Sequence, residues 1–160
     1  MLQYTGTYWE DITILPVDTD NDIICGTTTH LSWFAVVQDV TPPEIAVSVS
    51  PDTLWPPNHE MVEISATVIV SDVGDPNPSV VLTSIVSNEP DDAKGNGDGK
   101  TVNDIQDADI GTEDYNFLLR AERAGDGDGR IYTITYTVTD ASGNSATGVA
   151  YVMVPHDRGK

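Results

Sequence analysis

The stretch "RIYTITYTVTDASGNSATGVAYVMV", Arg130 to Val154, decides the fold class. In its first half Tyr132, Ile134, Tyr136 and Val138 alternate with Thr133, Thr135 and Thr137. Successive side chains of a strand point to opposite faces, so this period of two turns the first set inward and the threonines outward. "DASGN" then supplies turn residues, and "SATGVAYVMV" returns along the first strand, so the pair reads as a hairpin. In "EMVEISATVIVSDV" the same alternation puts Val62, Ile64, Ala66, Val68 and Val70 on one face, with Glu63, Ser65 and Thr67 opposite. "EIAVSVS", "SVVLTSIVS" and "YNFLLRAER" read as further strands, and no segment has a convincing helical period.

Residues 45–155 therefore carry about six or seven strands, the count and spacing of an immunoglobulin-like antiparallel β-sandwich. Residues 156–160 form a short tail. At residues 41–44, "TPPE", consecutive prolines cannot donate ladder hydrogen bonds and force an extended path, which marks a linker. Upstream, residues 1–40 read as three more strands, "TYWEDITI", "DIICGTTT" and "LSWFAVVQ". Three strands cannot close a sandwich, and about 40 residues is the length below which a chain needs disulfides, metals or partners. Cys25 is the single cysteine, so no internal disulfide forms. Trp9, Ile12, Ile14, Ile23, Ile24, Trp33, Phe34, Val36 and Val37 would leave apolar faces in water. The expectation is that Trp9, Ile12, Ile14, Trp33, Phe34 and Val36 contact a partner sheet, in a preceding domain or in a neighbouring copy. Between copies, a head-to-tail contact that does not close would build a fibre.

Twenty-six acidic against seven basic side chains give a net charge of −19, which repels phosphate backbones and anionic membranes. Nucleic acid is excluded as a partner on this ground, and no run approaches the roughly 20 apolar residues of a membrane span. The same excess favours a calcium-rich, extracellular or cell-surface setting. "PDDAKGNGDGKTVNDIQDAD", Pro90 to Asp109, gathers carboxylates, an amide and glycines in a long irregular segment. Calcium takes six to eight oxygen ligands on a loop that bends sharply, and the composition fits. The EF-hand spacing does not, since it would place Lys94 and Ile105 at ligand positions. The candidate calcium ligands are Asn96, Asp98, Asp104, Asp107 and Asp109, with Asp126 and Asp128 on a second glycine-rich turn, "AGDGDGR". A solvated acidic loop and a plain hairpin tip are the competing readings.

"LWPPNHEM", "LRAER", "GDGDGRIYTITY" and "TDASGN", within Thr41 to Asp157, resemble bacterial extracellular Ig-like modules related to hyalin-repeat and fibronectin-like domains. The resemblance implies a non-catalytic spacer, adhesion or assembly module. "CGTTTHLSWFAVV" is similar to the autoproteolysis site of adhesion-type receptors. That likeness implies His30 as base and Ser32 as nucleophile on the Leu31 carbonyl, cleaving Leu31-Ser32. Ordinary strand-edge residues are the other reading of the triplet. Trp55 reads as a packed anchor or, in a carbohydrate-binding adhesin, as a stacking platform. His59 reads as a hydrogen-bonded loop residue, and Arg120, Glu122 and Arg123, on one predicted strand, read as members of cross-strand ion pairs. No phosphate loop or nucleophile elbow is present, so enzyme chemistry is not expected.

Overall fold

The computed structural model describes residues 1–18, 23–29, 32–93 and 97–157, without the side chains of residues 15–18 and 23. It divides into two compact units, Met1–Val40 and Thr41–Lys160. All regular structure among the described residues is β, and none of it is a helix long and apolar enough to cross a membrane.

The first unit holds β1 (Leu2–Tyr4), β2 (Trp9–Asp11), β3 (Thr13–Asp18), β4 (Ile23–Gly26) and β5 (Phe34–Ala35). Its strands form an antiparallel sheet ordered β2-β1-β5 and a separate β3-β4 pair. The strands are short. Among the described side chains of this unit, Gln3 alone is buried.

In the second unit the period-two patterns become β6 (Glu44–Ser50), β7 (Met61–Ser71), β8 (Ser79–Ser87), β9 (Ile105–Gln106), β10 (Asn116–Arg120), β11 (Gly129–Thr139) and β12 (Ser145–Pro155). They make two antiparallel sheets, ordered β6-β7-β10-β9 and β12-β11-β8, a sandwich-like arrangement. β6 begins one residue inside the predicted linker, at Glu44. The core runs between the sheets: Ile64 from β7, Leu82 from β8, Phe117 and Leu119 from β10, Tyr132, Ile134, Tyr136 and Val138 from β11, and Val152 and Val154 from β12. Each such side chain removed from water contributes about 1.5–3 kcal/mol.

Local chemistry fixes the registers. The β11-β12 hairpin pairs Gly129 with Pro155 and Thr139 with Ser145. Its turn is organised by Asp140, whose Oδ1 accepts the amides of Ser142 at 2.9 Å and Asn144 at 2.8 Å, while Gly143 takes φ 87°. A register shift between β8 and β11 leaves Thr83 as an extra residue, and this lets both Leu82 and Ile85 face the core although three positions separate them. Gly148 lets β12 close on β6, because a Cβ there would lie 2.6 Å from Val47 Cγ2 and 3.0 Å from Ile45 Cγ1.

Sheet edges are partly capped from within the unit. Met153 of β12 donates to the Asp52 carbonyl and accepts from the Leu54 amide, both at 2.8 Å. On the outer edge of β8, Leu82 exchanges 2.8 Å bonds with Thr112 and Gly111. In "LWPPNH" the packed anchor is Leu54, at 2% exposure, whereas Trp55 is 39% exposed. The sequence expectation for Trp55 as the anchor is corrected by one position, because the residue bound to the β12 edge is the one that turns inward.

Candidate functional site

Alternation along β11 carries one step further than its apolar residues suggest. Two positions before Tyr132, Arg130 also points inward and is 1% exposed. A guanidinium at the end of an apolar core must be surrounded by acceptors. Its Nη2 donates to Asp98 Oδ1 at 2.9 Å and to the Pro90 carbonyl at 3.1 Å, and its Nε reaches Glu89 Oε2 at 3.3 Å. Nη1 donates to Asp104 Oδ2 and, at 3.2 Å, to the Tyr132 hydroxyl. Arg120, the last residue of β10, completes the frame: Nε to Asp104 Oδ1 at 3.0 Å, Nη1 to the His59 carbonyl at 3.0 Å and Nη2 to the Val102 carbonyl at 3.1 Å.

The acidic segment wraps onto this frame. Asp91 accepts the amides of Asn103 at 2.7 Å and Asp104 at 2.8 Å, and those two bonds hold its carboxyl below the usual range. Asp98 and Asp104 are thereby delivered to the buried end of β11, and Glu122, just past β10, joins them. One ligand oxygen from each of Asp98, Asp104 and Glu122 lies within 4.8 Å of the others. Glu122 is fully buried. Its Oε2 accepts the Thr101 hydroxyl and sits 2.9 Å from His59 Nδ1.

Two carboxylate oxygens of this trio, Asp98 Oδ2 and Glu122 Oε1, are buried and have no hydrogen-bond partner. Burial pushes the Asp98 carboxyl up, against the lowering influence of the Ala93 amide and Arg130. Burial likewise raises Glu122, against its bonds from Thr101 and His59. The Tyr132 hydroxyl, which donates to the Arg120 carbonyl at 2.9 Å, is pushed up to about 12 by burial. The arrangement gathers three buried carboxylates at one end of the core.

Of the expected calcium ligands, Asp98 and Asp104 meet in this trio. Asp107, Asp109, Asp126 and Asp128 do not join it and are exposed. Asn96 lies outside the described residues. Glu89, His59, Glu122 and Arg130 belong to the network and were not among the expected ligands. Arg120 forms an ion pair with Asp104 from another segment, as cross-strand pairing would have it, whereas Glu122 takes Thr101 and His59. β10 ends at Arg120, so strand alternation no longer governs where Glu122 points.

The expected partner-contact residues in the first unit are mostly open to solvent. Trp33 is 77% exposed and Val36 68%, with Ile14, Trp9 and Phe34 between 42% and 49%, while Ile12 is half-buried. The Ser32 hydroxyl donates to the Tyr4 carbonyl. His30 and Leu31, the other two residues of the cleavage-like triplet, lie outside the described residues. No protein-family model, curated protein or solved structure matches the chain.

Proposed function

We propose that the chain is a non-catalytic structural module of an extracellular surface protein or fibre, in which an Ig-like sandwich is joined to strands that a neighbouring copy completes. The observation that carries this reading is the contrast between the two units. One has a continuous core, whereas the other exposes Trp9, Ile14, Trp33, Phe34 and Val36 and buries only Gln3 among its described side chains. Short strands with open edges and apolar faces bury that surface by strand addition.

The Ig-like assignment is supported by strand order. β6-β7-β10-β9 opposite β8-β11-β12 follows the ABED and CFG sheets of an immunoglobulin constant-type domain. A net charge of −19 fits a surface exposed to a cation-rich medium.

Sedimentation of the full chain across a hundredfold concentration range, with negative-stain microscopy at the upper end, tests the proposal. The expected result is head-to-tail oligomers or fibres, weakened by Trp33→Asp, with amides of residues 1–14 exchanging more slowly when assembled. A monomer at every concentration, with those amides already protected, would refute it.

A further inference from the structure

The charges around Arg130 do not balance. Glu89, Asp98, Asp104 and Glu122 bring four carboxylates, while Arg120 and Arg130 bring two guanidiniums. Among the described residues two negative charges are left over, and His59 Nδ1 lies 2.9 Å from Glu122. Burial in low dielectric makes an uncompensated carboxylate costly, so the site needs a proton or a cation.

Geometry favours the cation. Oxygens bound to one calcium at about 2.3–2.6 Å can stand at most roughly 4.6–5.2 Å apart, and one carboxylate oxygen from each of the three residues lies within 4.8 Å of the others. Thr101 and His59 occupy Glu122 Oε2, and Arg130 occupies Asp98 Oδ1, which leaves Oε1 and Oδ2 as the buried oxygens without a donor. Both oxygens of Asp104 accept from arginine, and each retains a further lone pair. A donor set made only of oxygens selects a hard cation over zinc or copper.

We propose that Asp98, Asp104 and Glu122 form a buried site for one hard divalent cation of calcium's class, with Asp98 Oδ2 and Glu122 Oε1 the oxygens that the ion satisfies. The site lies within the second unit and stands or falls independently of strand completion by a neighbouring copy. Binding there ties the 97–104 segment to β11. That segment is already tightly seated, since a Cβ on Gly97 would come within 2.6 Å of the Gly125 backbone. The ion is therefore a brace for one end of the sandwich, and the exposed aspartates 107, 109, 126 and 128 are solvated surface.

The test uses the full chain, stripped with EDTA and titrated with terbium and then calcium. Aromatic-sensitised terbium emission is expected to saturate and to be displaced by calcium, because Tyr132 stands beside the network at 3.2 Å from Arg130 Nη1. Calcium is expected to raise Tm and to slow proteolysis in residues 90–110. Glu122→Gln and Asp98→Asn should each weaken calcium binding at least tenfold, and Glu122→Gln, which removes a buried carboxylate with no guanidinium partner, should leave the cation-free Tm unchanged or higher. The quadruple variant of Asp107, Asp109, Asp126 and Asp128 to Asn should keep the response. Identical melting in EDTA and calcium, with no emission that calcium displaces, would overturn the site. Loss of binding in the quadruple variant with retention in Glu122→Gln and Asp98→Asn would overturn it as well.

Discussion

Arg130→Met is the most informative single perturbation of the cluster. Methionine reproduces the unbranched stem of arginine as far as Nε, so the change removes the guanidinium and keeps the stem's packing. Asp98 Oδ1 then loses its Arg130 bond of 2.9 Å, and Asp98 Oδ2 has no partner to begin with. Asp104 keeps Arg120 at 3.0 Å, and Glu89 keeps the Ala124 amide at 2.6 Å. The damage therefore concentrates on one carboxylate at 1% exposure. Removing one partner of a buried ion pair costs about 3–5 kcal/mol, a large part of the roughly 5–15 kcal/mol that stabilises a domain. At about 3–6 °C per kcal/mol for a unit of this size, Tm should fall by about 9–30 °C. The assay is urea unfolding in EDTA, followed by tryptophan fluorescence, with the m-value checked for constancy. Asp98→Asn in the Arg130→Met background should recover about 0.5–3 kcal/mol, because it removes the stranded charge. A loss below about 1 kcal/mol for Arg130→Met, or no recovery in the double variant, would refute the claim that Arg130 is the counter-ion of a buried carboxylate.

Two further outcomes follow from the same structure. Gly148→Val, which drives a branched side chain into Val47 and Ile45, should cost about 1–3 kcal/mol in the same unfolding assay, and a loss below about 0.5 kcal/mol would contradict the close approach of β12 to β6. The pH dependence of the cation-free protein should have an unusual sign. Asp98 and Glu122 have folded-state values raised by burial above the ordinary 3.8 and 4.5, so the folded state binds protons more tightly than the unfolded chain. Their contribution is fully present below those ordinary values and is lost as pH rises through the raised ones. Asp91 opposes it, because its lowered value gives stability that is lost at acid pH. Comparing wild type with Asp98→Asn and Glu122→Gln isolates the first effect from Asp91 and from Asp92, Asp104, Glu89, His59, Arg120 and Arg130 nearby. In EDTA the wild type should gain on both variants as pH falls from about 7 towards 4.5, and calcium should remove the trend; a parallel pH profile would contradict it.

Strand positions in the second unit, apart from the two-residue β9 inside the acidic segment, were legible because one physical rule, alternation against a buried face, acts on every residue of a strand. Tyr132 through Val138 obey it without interruption, and all four inward residues are fully buried. The rule weakens where the backbone departs from regular pleating. In "SVVLTSIVS" the register shift at Thr83 changes the phase between Leu82 and Ile85, which no fixed period can follow. At "LWPPNH" residue size pointed to Trp55, but the Leu54 amide bond to Met153 decides which side chain is turned inward. Residues 1–40 gave the opposite lesson: their unsatisfied apolar surface was readable in the sequence because no arrangement of so few strands covers it.

The polar cluster was only half legible, and the reason lies in what makes a carboxylate matter. Density along the chain singled out Asp98 and Asp104 together with Asp107, Asp109, Asp126 and Asp128, yet dense carboxylates on an exposed turn are solvated and cost little. Burial sets the cost, and burial is decided by which carboxylates the fold carries to the end of the core. The available signal was Arg130, two residues before Tyr132 on the face that the alternation assigns to the interior. A cation on an inward position demands buried anions, so the inward arginine predicts that some acidic residues from the neighbouring loops must fold over it. Which ones do so depends on local hydrogen bonds such as those from Asn103 and Asp104 to Asp91, and these act only once the segment is in place. The same logic explains Glu122: it stands beyond the last residue of β10, where strand parity stops predicting direction, and its burial is imposed by Thr101 and His59 from two other segments.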